Sequence, residues 1–116
     1  MTRGEFAFDM WNLRGPWNRV LAAMSMKGFT PKTTPVIQEE TEITYAHLKT
    51  MKLDGADMEK VWEENPVHNT EPIECFVRHV DYLMDEYEKL VSDEIQGYVD
   101  AENSVKSTEN EYVGAA

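Results

Sequence analysis

The stretch TEPIECFVRHVDYLMDEYEKLV, residues 70–91, decides the fold class. Ile73, Phe76, Val77, Val80, Leu83, Met84, Tyr87, Leu90 and Val91 recur at spacings of three and four. That is the helical period, so the segment predicts one continuous apolar stripe of about five turns. Thr70 is a good N-cap, with Pro72 in the first turn, where a missing backbone donor costs nothing. The Ser92-Asp93-Glu94 run extends this helix or caps a new one carrying Ile95, Tyr98 and Val99, and Gly97 weakens the continuous version by about 1 kcal/mol relative to alanine.

Upstream, Thr2-Arg3-Gly4-Glu5 has the form of a capping box, so a helix is expected from the N-terminus with Phe6, Met10 and Leu13 on one face. Gly15-Pro16 interrupts it, and Pro16 is suited to open a second helix bearing Trp17, Val20, Leu21 and Met24 up to Gly28. The expectation is a bent helix or a helical pair. The two prolines of Thr30-Pro31-Lys32-Thr33-Thr34-Pro35 predict a connector. The next helix starts at Glu40 or Thr41 and carries Ile43, Ala46, Leu48 and Met51, up to Asp54-Gly55. A short helix through Met58, Val61 and Trp62 precedes the turn-rich run 65–71. Beyond Glu102 periodicity is lost. The expected organisation is therefore all-α: a single helical domain of four or five helices over residues 1–102, followed by a flexible polar tail over 103–116.

The chain has 116 residues, 41% of them hydrophobic and 28% charged, which suits one packed domain. Cys75 is the sole cysteine, so an intramolecular disulfide is excluded and a reducing, cytoplasmic setting is expected. No run is long and apolar enough for a membrane span, and the N-terminus lacks a secretory signal pattern. Net charge is −11, which disfavours direct binding to nucleic acid or anionic lipid. Residues 1–35 hold five basic and two acidic side chains, so the acidity belongs to the remainder.

Phosphate-binding glycine loops, the nucleophile elbow and the metalloprotease motif are absent. Glu71, Cys75 and His79 stand four apart on one helix face, with His68 nearby, but a second close ligand pair is missing. A Cys75 nucleophile with His79 as base lacks an orienting third group. Asp54, Asp57 and Glu59 around Gly55 do not fit a calcium loop, and His47 fits a boundary position. Trp11, Trp17 and Phe29 among Arg14, Arg19 and Lys27 read as core aromatics before they read as a base-stacking surface. The methionines likewise read first as core filler. No enzyme activity, catalytic residue, cofactor or metal ligand is assigned.

The carboxylates carry the functional reading. Between Asp81 and Glu102 the only basic side chain is Lys89. Like charges three or four apart on a helix destabilise it by a few tenths of a kcal/mol each, so this acidity serves either solubility or a basic partner. Asp81, Asp85, Glu88, Asp93 and Glu94 are the candidate partner-binding residues. The expected function is that of a small acidic protein that inhibits or regulates a partner by occupying a basic, even nucleic-acid-binding, protein surface. Immunity proteins, antitoxins and viral anti-defence proteins share this profile of size, acidity and helicity. The alternative is an assembly subunit or chaperone of a viral or other complex, in which the basic N-terminal third pairs with the acidic remainder of another copy. A homo-oligomer is compatible with either.

Overall fold

A computed structural model of the chain describes residues 1–68 and 72–115, with side chains described as far as Ser104. Five helices, and no strand, form among the described residues: α1 (Arg3–Lys27), α2 (Thr33–Thr50), α3 (Met58–Glu64), α4 (Ile73–Leu90) and α5 (Ser92–Ala115). The protein is all-α, as the periodicity predicts.

The capping box at the start of α1 is formed. Thr2 Oγ1 accepts from the Glu5 backbone at 3.1 Å, and the Thr2 backbone donates to Glu5 Oε1 at 3.0 Å. These bonds hold the Glu5 carboxyl below the usual carboxylate range. Of the bent helix or helical pair expected around Gly15-Pro16, the pair is not formed: α1 runs through both residues as one helix. Pro16 and Asn12, four residues before it, lie on the exposed side, so the carbonyl that loses its donor faces water. Trp17 and Val20 are buried on the other side, and their burial outweighs the roughly 3 kcal/mol that proline costs inside a helix. The helix stops at Gly28, whose φ of 66° lies in the left-handed region that favours glycine.

Helix α2 starts at Thr33, well before the expected Glu40 or Thr41. Thr30 and Thr33 satisfy each other's backbone donors, at 3.0 and 2.8 Å, and Pro35 falls in the first turn. The inward positions are Ile37, Thr41, Thr44 and Leu48, with Thr41 Oγ1 returning its proton to the Ile37 carbonyl at 2.6 Å. Two of the four are polar, which hid the stripe from a search for apolar spacing. Ile43, expected to face inward, is 55% exposed.

Asp57 caps α3 through its side chain. Helix α4 contributes Phe76, Val77, Val80, Leu83, Met84 and Tyr87 to the core, where they meet Phe6, Met10 and Trp17 of α1 and Leu48 of α2. The N-cap of α4 is Pro72, not Thr70 with Pro72 in the first turn as expected; Thr70 itself lies outside the described residues. Tyr87 ties three elements together: its hydroxyl donates to the Leu48 carbonyl at 2.8 Å and accepts from Trp62 Nε1 at 2.9 Å. Burial pushes this phenol up to about 12. The pairs Asp9–His47, Trp17–Asp81 and Arg3–Glu94 set α2 and α4 antiparallel to α1 and α5 parallel to it.

Val91 is buried between α4 and α5 and separates them. Helix α5 continues to Ala115, so the backbone is helical where an aperiodic tail is expected from residue 103. An existing helix extends without a new nucleus, so α5 continues through this run although most of its residues are Ser, Asn, Thr, Val and Gly, weak helix formers. Among the described side chains, which end at Ser104, the α5 residues packed against the core are Ile95 and Tyr98. Deletion of residues 105–116 is therefore expected to leave the melting temperature nearly unchanged. A fall of more than about 5 °C, roughly 1 kcal/mol for a domain of this size, would show instead that the terminal turns dock.

Candidate interaction site: one arginine among three carboxylates

Asp81, Asp85 and Glu88 stand four and three residues apart on α4, beside the apolar stripe, so the antiparallel α1 meets all three along one seam. Trp17 and Arg14 on α1 fill that seam. The indole Nε1 of the fully buried Trp17 donates to Asp81 Oδ1 at 2.8 Å. The Arg14 guanidinium lies 3.8 Å from the same oxygen and 2.9 Å from Asp85 Oδ1, and it contacts Glu88 Oε1 directly. One guanidinium thus serves three carboxylates, and two formal negative charges remain.

That excess is unevenly exposed. The Asp85 side chain is 52% exposed, whereas that of Glu88 is 25% exposed and its Oε1 is sealed from solvent. Burial raises the Glu88 carboxyl above its ordinary range; Arg14 opposes the rise, and Asp85 and Asp81 add to it by repulsion. The cluster opens onto a cleft of about 370 Å³ between α4 and α5, lined by Asp85, Glu88, Lys89, Ser92, Ile95 and Gln96. Asp85 is the more exposed of the two carboxylates in that cleft, and Lys89, also in the lining, is paired with Glu86.

The other two candidate carboxylates lie elsewhere. Glu94 makes a two-pronged pair with Arg3, at 2.7 and 2.9 Å, which holds the carboxyl below its usual range. Asp93 is exposed and acts on Arg3 only through its field. Sequence reading brought the α4 carboxylates forward but missed their partners. Arg14 and Trp17, one turn apart on α1, are a cation and an indole donor that a helix lined with unopposed acids requires.

The remaining candidates lie away from this cluster. Glu71 lies outside the described residues, and Cys75 is exposed. The His68 backbone donates to His79 Nδ1 at 3.4 Å, with ring centroids 5.4 Å apart. Among the described residues no three His, Cys, Asp or Glu side chains are grouped to hold a metal ion. Asp54 pairs with the N-terminal ammonium at 3.1 Å, Asp57 caps α3, and His47 meets Asp9 at 3.1 Å. Trp11 stacks on Tyr98 at 5.6 Å, leaving it half-buried. No known protein family, curated protein or solved structure matches this chain. The site must be read from its own chemistry. Among the described residues no helix is long and apolar enough to cross a membrane.

Proposed function

We propose that this protein binds a basic protein surface through the Arg14-centred carboxylates and the cleft beside them, and thereby regulates or inhibits its partner. The observation that carries the reading is the charge imbalance: three carboxylates share one guanidinium, and two of them, Asp85 and Glu88, line an open cleft whose one basic side chain, Lys89, is paired with Glu86. A lysine or arginine from a partner would gain a charge-assisted bond to Asp85 and relieve the repulsion borne by Glu88. The pre-formed Arg14 cluster fixes the acceptors, so little side-chain entropy is lost on binding. Asp93, at the exposed start of α5, extends the negative field and speeds encounter more than it adds affinity. Glu94, committed to Arg3, holds the bundle.

A surface of this sign suits a basic groove, including one that holds nucleic acid, and the size, acidity and helicity of the chain are those that immunity, antitoxin and anti-defence proteins share. The catalytic alternatives have no comparable support, since the His79 ring meets the His68 backbone and no hydrogen bond joins it to Cys75 among the described residues.

An oligo-arginine peptide followed by amide chemical-shift mapping tests this reading. At low salt the shifts are expected to concentrate on residues 81–96, and Asp85→Asn with Asp93→Asn is expected to weaken binding about tenfold without loss of helical circular dichroism. The interaction should also fade with salt, because exposed charges are screened over about 8 Å at physiological ionic strength. Shifts spread evenly over Glu39, Glu42, Glu59 and Glu63 as well would show a diffuse acidic surface and sink the proposal.

A further inference from the structure

The Cα envelope is only 17 Å along its shortest axis, less than twice one helix–helix spacing, so a helix pair in this slab has one face on the core and another on solvent. Helices α1 and α2 form such a pair. Between them runs a groove of about 320 Å³ with an apolar floor and walls made by Pro16, Val20, Ala23, Val36 and Ile37. It is separate from the carboxylate cluster, which sits on the α4 side of α1. Val36 is 58% exposed at its edge, and Ile43, two turns along α2, is 55% exposed.

The rims carry opposite charges, Arg19 on α1 and Glu40 on α2. Neither makes an ion pair or a side-chain hydrogen bond among the described residues. Arg3, Arg14 and Arg78 each meet a carboxylate there, so Arg19 is the one arginine without one. A purely basic partner would be repelled by Arg19 and a purely acidic one by Glu40. A surface that carries both signs across an apolar groove is complementary to itself.

We propose that the α1–α2 groove is the interface of a two-fold homodimer. Under a two-fold axis residue i meets j while j meets i, so Arg19 of each chain would face Glu40 of the other, and Val36 of each would enter the opposite groove. The arrangement stacks two helix pairs into four helices and covers Val36 and Ile43, apolar side chains that the monomer leaves in water. The contact uses α1 and α2 and leaves the acidic α4–α5 seams out of the interface. The dimer is independent of the binding proposed for the Arg14 cluster, which faces outward in either state.

Sedimentation velocity on the full chain, from about 1 µM to about 1 mM, reads the association over the range expected for a modest interface. The wild-type protein is expected to pass from one to two chains within it. Val36→Glu, at an exposed position, should abolish the dimer and leave the helical circular dichroism unchanged. Arg19→Glu alone should raise the dissociation constant at least about tenfold, and adding Glu40→Arg should restore it, because the reversed pair is again complementary across the axis. A wild-type chain that stays monomeric throughout, or a dimer indifferent to Val36→Glu, or a double reversal no better than the single one, overturns the proposal. None of these results bears on oligo-arginine binding at residues 81–96, so the two proposals fail separately.

Discussion

Substitution of Arg14 by alanine is expected to lower the melting temperature by about 8–12 °C at neutral pH. Removing one partner of a fully buried ion pair costs about 3–5 kcal/mol, because the remaining charge is left in low dielectric. Here the participants are 24% to 52% exposed, and solvent screening reduces the figure to about 2–3 kcal/mol. At about 4 °C per kcal/mol for a domain of this size, the shift follows. The loss is more than that of one bond: Asp81, Asp85 and Glu88 would confront each other without a cation, with Glu88 held half-buried among them.

The pH dependence has a definite sign. Glu88 binds its proton more tightly in the folded protein than in the unfolded chain, since burial raises it. The native state therefore carries the extra proton just above the ordinary carboxylate range, and the contribution of Glu88 to stability falls as pH rises through that window. Without Arg14, which pulls the other way, the rise is larger. The gap between wild type and Arg14→Ala should consequently narrow as pH falls toward the carboxylate range. Thermal melts across a pH series check this, with Arg14→Lys, which keeps the charge without the fork, expected between the two. Equal melting temperatures for Arg14→Ala and wild type at neutral pH would mean that water, not Arg14, satisfies the carboxylates.

Substitution of Trp17 by alanine is expected to cost about 4 kcal/mol, the middle of the range for emptying a buried aromatic site. Trp17 is fully buried, and its loss opens a void at the junction of α1 and α4 while removing a hydrogen-bond donor from Asp81. Trp17→Phe separates the two effects: most of the volume stays, the donor goes, and the expected loss is about 1–2 kcal/mol. Urea denaturation followed by circular dichroism gives both values. A Trp17→Ala protein within 1 kcal/mol of wild type would show that this seam is not where the bundle is held. Together the two residues explain how α4 tolerates its own repulsion: the neutralising cation and donor come from a different helix.

The α4 stripe was legible because its eight apolar residues report their own face, and the capping box was legible because Thr2 and Glu5 satisfy each other within one turn. Local hydrogen bonds and periodicity are properties of neighbouring residues, so the sequence by itself determined the helical class, α3, α4 and the N-terminus of α1. Three features were out of its reach. That α1 passes Pro16 unbroken depends on the burial of Trp17, and that α2 begins at Thr33 depends on a core that accepts Thr41 and Thr44. The third is the functional one: the acidic face reads in sequence as five free carboxylates, whereas Asp81, Asp85 and Glu88 share Arg14 and Glu94 is held by Arg3. Those pairs join residues more than sixty positions apart, and no local rule sets the register at which two helices dock. That register is chosen by how side chains such as Trp17 and Tyr87 fill the space between helices, so the charge a partner would meet was decided only by the tertiary structure.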